Sequence, residues 1–168
     1  MHEMTKGGMA MKRFLVSVGG ALLFASGAAA GTPAVNDGYD WTMRVNDEDR
    51  ANSAILAYEV ADTDDQPLNF TCEEGGNRIF AGISGGAPDL SAIELVSGDQ
   101  SLRLAGTTEA EEMPYFSSTD EIAGDAAFIR AFAANGWLRM TADGAATDMA
   151  ATPAGKQAIA RFVAFCAG

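Results

Sequence analysis

Leu68-Asn69-Phe70-Thr71-Cys72-Glu73-Glu74-Gly75-Gly76-Asn77-Arg78-Ile79-Phe80 alternates apolar and polar side chains, breaks at a pair of glycines, and resumes. Alternation with a period of two belongs to a half-buried strand, and it places Leu68, Phe70 and Cys72 together on the inward face. Glu73 to Asn77 reads as a turn, because glycine takes positive φ at little cost. Arg78 to Ile83 is then the returning arm of a hairpin.

The same reading extends in both directions. Upstream, Gly31 to Asp40 is a loose polar leader. Trp41 to Val45 alternates as a strand, Asn46 to Asn52 is a charged turn, and Ala54 to Val60 is a second strand with Leu56, Tyr58 and Val60 on one face. Asp62 to Pro67 is a polar loop. Downstream, Ala92 to Val96 and Ser101 to Leu104 form another hairpin through Ser97-Gly98-Asp99-Gln100. Met113 to Phe116 adds a short strand after the acidic stretch Glu109 to Glu112.

The last third changes period. Phe128, Ile129 and Phe132 recur at helical spacing after a start near Asp120 or Asp125, and Asn135-Gly136 stops the helix. Trp137 to Thr141 is a strand, and Asp143-Gly144 turns the chain toward a short segment, Ala146 to Ala150. Thr152 as N-cap and Pro153 at the first position open a terminal helix. Ile159, Phe162, Val163 and Cys166 stand at i, i+3, i+4 and i+7, one apolar stripe. The expected fold is α+β: a mainly antiparallel sheet or small sandwich with one late helix and a C-terminal helix packed on it.

Cys72 and Cys166 are the only cysteines. One is inward by strand alternation and the other by helical spacing, so a disulfide between them pins the terminal helix to the sheet. An even pair in an exported chain favours such a staple. A redox pair would prefer Cys-x-x-Cys spacing.

Export is read from the N-terminus. Met11-Lys12-Arg13 precedes an apolar run, Phe14 to Phe24, and Ala28-Ala29-Ala30 fits the small-x-small cleavage rule. The run, broken by Ser17, Gly19 and Gly20, is short for a bilayer span. Residues 1–30 are thus expected to be a cleaved signal peptide, the first ten an extension from an early start site. A single exported domain, 31–168, follows, periplasmic or secreted and without a stable membrane span. Cleavage is expected near Ala30/Gly31.

Charge and composition narrow the chemistry. The 168 residues carry a net charge of −12, and residues 31–168 carry eight basic and 22 acidic side chains. Phosphate binding needs a basic face, so no nucleic-acid partner is expected. The only histidine is His2, within the leader. The exported domain therefore has no Ser-His-Asp or Cys-His nucleophile and no His-ligated zinc. Lys156, its one lysine, has no serine three residues before it and reads as a solvated helix residue.

Sharper patterns have ordinary counterparts. Asp62, Asp64 and Glu73 take positions 1, 3 and 12 of a calcium loop, but Pro67 stands where that loop needs glycine. Glu73-Glu74 and Glu111-Glu112 resemble glycosidase acids only in type, since such enzymes set two carboxyls across a sugar-sized cleft. Trp41 and Trp137 begin strands, which favours core packing over sugar stacking. Asn69-Phe70-Thr71 is a glycosylation sequon that matters only in a glycosylating pathway. Arg78, Arg103 and Arg139 fall on strands, where gathering to hold an anion competes with pairing to nearby carboxylates. No catalytic residue, cofactor or metal is expected.

The arrangement as a whole resembles the periplasmic type VI secretion-associated VasI-like proteins and related small exported domains. The resemblance rests on the export signal, a Trp-initiated strand, the Cys hairpin (PLNFTCEEGGNRIF) and the terminal helix (GKQAIARFVAFC). This chain departs from that pattern after Cys166, where Ala167-Gly168 replaces an aromatic close. Phe70-Thr71-Cys72-Glu73 with the strands that follow also looks like the start of an MliC-type lysozyme-inhibitor barrel. The expected function is a non-catalytic envelope domain that binds another envelope or secreted protein, or an envelope component. The alternative is a small exported inhibitor of a cationic hydrolase such as lysozyme, which the acidic charge suits.

Overall fold

The structure is a computed structural model, and it describes residues 31–46, 52–63, 65–110 and 113–167. The expected signal peptide, most of the charged turn after Asn46, Asp64, and the Glu111-Glu112 pair lie outside the described residues.

Ten strands and two helices follow in the order β1 Tyr39–Asn46, β2 Ser53–Val60, β3 Leu68–Glu73, β4 Arg78–Ser84, β5 Ala92–Ser97, β6 Gln100–Glu109, β7 Tyr115–Ser118, β8 Ile122–Ala123, α1 Ala127–Asn135, β9 Trp137–Ala142, β10 Ala145–Ala150 and α2 Pro153–Ala167. All strand pairs are antiparallel, in the order β1-β2-β3-β4-β7-β6-β5-β9-β10, with β8 paired to the start of β4. The sheet curls into a nearly closed barrel. The α+β class with a mainly antiparallel sheet and a C-terminal helix is as the residue pattern implies.

Closure depends on one corner. β6 pairs with β5 through its first half and with β7 through its second, changing partner at Gly106. A Cβ there would lie 2.3 Å from the Ser117 carbonyl oxygen and 2.4 Å from the Phe116 ring, so only glycine lets the strands approach.

The inward faces carry the core. Leu56, Tyr58, Leu68, Phe70, Ile79, Phe116 and Leu104 are buried as period-two alternation demands. Trp41 sits among Tyr58, Phe70 and Phe132, its ring centroid 5.0 Å from that of Phe132 in an edge-on contact. Both tryptophans are core residues, Trp137 being only 4% exposed. α1 contributes Phe128, Ile129 and Phe132 to this interior and ends on Gly136 in the left-handed conformation (φ 67°).

Three expectations about the ends of elements are refined. α1 begins at Ala127, near Asp125, one of the two expected starts, and not near Asp120. The chain first adds β8, and the Asp120 carboxylate accepts the Ala105 N–H (2.8 Å) instead of capping a helix. The short strand begins at Tyr115, beyond Pro114, which has no N–H to donate. The leader is fastened: Asn36 Nδ2 donates to Tyr58 Oη (3.0 Å) and to the Asp148 carbonyl (2.8 Å), bridging the seam between β1 and β10. Trp41 Nε1 donates across the same seam to the Met149 carbonyl.

α2 packs along β1 and β2 inside the curl, burying Ala158, Ile159, Phe162 and Cys166. Its start is capped twice. Thr152 Oγ1 accepts the Ala154 and Gly155 N–H groups, and the Asp40 carboxylate accepts the Thr152 N–H (3.0 Å) and hydroxyl. Its end meets the β3–β4 turn, where Gly75 and Asn77 N–H groups donate to the Phe165 and Cys166 carbonyls (2.9 and 2.8 Å). Beside that contact Cys72 and Cys166 form the disulfide, their Cα atoms 5.7 Å apart.

Candidate outer-face binding groove

Residues that alternate away from the barrel interior line up across β1 to β4. Arg44 faces Ile55, Ile55 faces Thr71, and Thr71 faces Phe80, one row over four strands. The neighbouring row, Thr42, Ala57, Asn69 and Gly82, is small in three of its four members. Ala57, Asn69 and Gly82 are buried, so this row is covered and the first row stands outermost.

Three hollows open along this face. The first, about 410 Å³, is lined by Ser53, Thr71, Glu73, Arg78 and Phe80 among others. The second, about 170 Å³, shares Ser53 and Thr71 with it and reaches Arg44 and Val45. The third, about 490 Å³, shares Arg44 and extends past Glu59 to Asp62 and Thr63. Neighbouring hollows share these residues, so they follow one another from β4 to β1 and then toward the C-terminal end of β2, with the Arg44–Glu59 ion pair between the second and the third. Taken together they are the groove.

Charges in the groove are largely paired in advance. Arg44 holds Glu59, whose side chain is only 8% exposed. Arg78 Nε donates to Glu121 at 2.6 Å, and its guanidinium lies 5.5 Å from the Phe80 ring centre, a cation–π contact at an exposed site. Asn52 donates to Glu74 at 2.6 Å. Near the far end Tyr39 Oη donates to the Asp65 carboxylate, and that bond to an anion raises the tyrosine pKa above its ordinary 10.0. Glu73 and Asp62, at opposite ends, have exposed side chains with no ion pair or hydrogen bond among the described residues. In the covered row Asn69 is 3% exposed and its Oδ1 has no donor. The Tyr115 hydroxyl lies over Gly82 beside it. An amide buried in this way is closed to glycosylation.

The residue types singled out from sequence are dispersed. Asp62 and Glu73 belong to no common loop, because the chain straightens into β3 at Leu68. Arg78, Arg103 and Arg139 do not gather around an anion. Arg139 makes a two-pronged pair with Asp148 (2.7 and 2.9 Å), which lowers that carboxyl's pKa, while Arg103 faces Glu94 on β5. Lys156 lays its methylene chain against Gly136. The row Arg44–Ile55–Thr71–Phe80 was not picked out from the sequence. A turn over Glu73–Asn77 would set Cys72 opposite Arg78, whereas the observed register sets Cys72 opposite Ile79 and Thr71 opposite Phe80, and nothing local fixes the register of β1 on β2 in advance.

Compared with family models, with curated proteins and with solved structures, the chain gives no match in any of the three.

Proposed function

We propose that this protein is a non-catalytic exported domain of the periplasm or envelope that binds another protein or an envelope component through the outward face of β1–β4. The observation that carries this reading is the row Arg44–Ile55–Thr71–Phe80, in which the half-buried apolar Ile55 and Phe80 are flanked by ion pairs along adjoining hollows. Such a surface offers apolar contact at its centre and leaves few charges to be desolvated unpaired on docking. The Cys72–Cys166 bond supports an oxidising compartment. Among the described residues no helix is long and apolar enough to cross a membrane.

A cationic hydrolase is a second candidate partner, favoured by the 22 acidic against eight basic residues of 31–168. The test is capture from an envelope fraction with the oxidised protein and its Phe80→Asp variant in parallel. A partner held by the first and lost by the second is expected. A partner held equally by both, or by neither, contradicts the reading.

A further inference from the structure

We infer that the occupant of the groove is an extended segment of a partner protein carrying lysine or arginine at both ends of the stretch it lays down. The inference rests on the binding role proposed above and deepens it. Three observations carry it.

The first is length. The hollows begin at Ser53 at the start of β2 and end at Ala61 and Asp62 just beyond it, and β2 has eight residues. At about 3.3 Å per residue that is roughly 25 Å, the reach of about eight residues of extended chain. A compact ligand would fill one hollow and leave the others.

The second is the order of chemistry along it. Ile55 and Phe80 are half-buried in one row, and the Ser53 and Thr71 side chains that line the same hollows carry hydroxyls able to meet backbone amide groups. Carboxylates without partners among the described residues lie at the two ends, Glu73 and Asp62.

The third is the surrounding field. Among the described residues of 39–80, which span β1, β2, β3 and the start of β4, six side chains are acidic and two are basic. Arg44 and Arg78 are already engaged by Glu59 and Glu121. The face therefore attracts cations, and its own cations are not free to recruit an anionic ligand.

The experiment is a nuclear magnetic resonance titration of the full oxidised exported protein. The probe is an eight-residue peptide of alternating threonine and valine with lysine at each end, and the control has glutamate at each end. Saturable shifts at Ser53, Thr71, Glu73, Arg78 and Asp62 are expected with the lysine peptide and not with the control. Glu73→Gln and Asp62→Asn should each weaken binding roughly two- to fivefold, as an exposed ion pair does. High salt should weaken it further.

No saturable shift at millimolar peptide, shifts mapping elsewhere, or equal binding of the glutamate peptide overturns the inference. A partner lost on Phe80→Asp without peptide binding keeps the face and rejects the basic segment. Peptide binding without any such partner keeps the groove's charge preference and rejects the proposed role.

Discussion

Cys72 and Cys166 join the end of β3 to the last turn of the terminal helix, 94 residues apart in sequence. The bond lies beside two hydrogen bonds from the β3–β4 turn to the helix's final carbonyls, so covalent and polar fastening act at one point. In the chain-entropy account a loop of this length is worth about 4–5 kcal/mol, and strain or residual unfolded structure lowers that. Reduction, or Cys166→Ser, is expected to cost a few kcal/mol and to speed hydrogen exchange across residues 153–167 and at Gly75 and Asn77. Exchange unchanged along Ile159 to Val163 would contradict this fastening role.

Asp40 anchors the other end of α2. Replacing it with alanine strips an acceptor from both the Thr152 N–H and the Thr152 hydroxyl. The expected loss is about 1–2 kcal/mol, the range for a helix cap with a favourable charge at the positive end. Urea unfolding of Asp40→Ala measures it. Gly155→Ala should behave similarly, because its Cβ would lie 1.9 Å from Asp40 Oδ1 and displace the carboxylate.

Gly106→Ala tests the corner that lets one sheet curl. The added carbon has a carbonyl oxygen and an aromatic ring in its place, and backbone must move to admit it. A loss of about 2–4 kcal/mol is expected, larger than for most single changes. Thermal unfolding at wild-type temperature would mean that β6 turns the corner by some other means.

Two limbs of the pH profile follow from Asp148 and Tyr58. The Arg139 guanidinium holds the Asp148 carboxyl below its ordinary 3.8, so its contribution is present above that value and lost as pH falls through the lower folded one. Arg139→Gln should therefore narrow its gap to wild type in strong acid. Burial raises the Tyr58 phenol above 10.0, against a smaller opposing effect from the Asn36 hydrogen bond. Its contribution is full below the unfolded value and disappears as pH rises through the folded one. Tyr58→Phe should soften the alkaline loss while costing about 1 kcal/mol at neutral pH through the lost bond. Identical alkaline profiles would remove Tyr58 as the cause.

Much of this architecture was legible locally. Strand alternation around Phe70, the Glu73–Asn77 turn, the Thr152-Pro153 helix start and the two inward cysteines are each decided within a few residues. What was not legible depends on contacts between distant segments. Asp120 reads as a helix cap, yet its carboxylate is taken by Ala105, fifteen residues earlier. Asn36 looks like part of a loose leader until the seam between β1 and β10 gives it partners. The groove is invisible for the same reason, since it exists only once β1, β2, β3 and β4 share a register.

The central claim is that the outward face of β1–β4 is the working surface. A photo-crosslinking phenylalanine analogue placed at Phe80, and at Arg103 as a control on β6 outside the groove, tests it in the living cell. One discrete adduct from Phe80, absent from Arg103, is the predicted result. Equal adducts from both positions, or none from Phe80 while Arg103 captures a partner, would contradict the account.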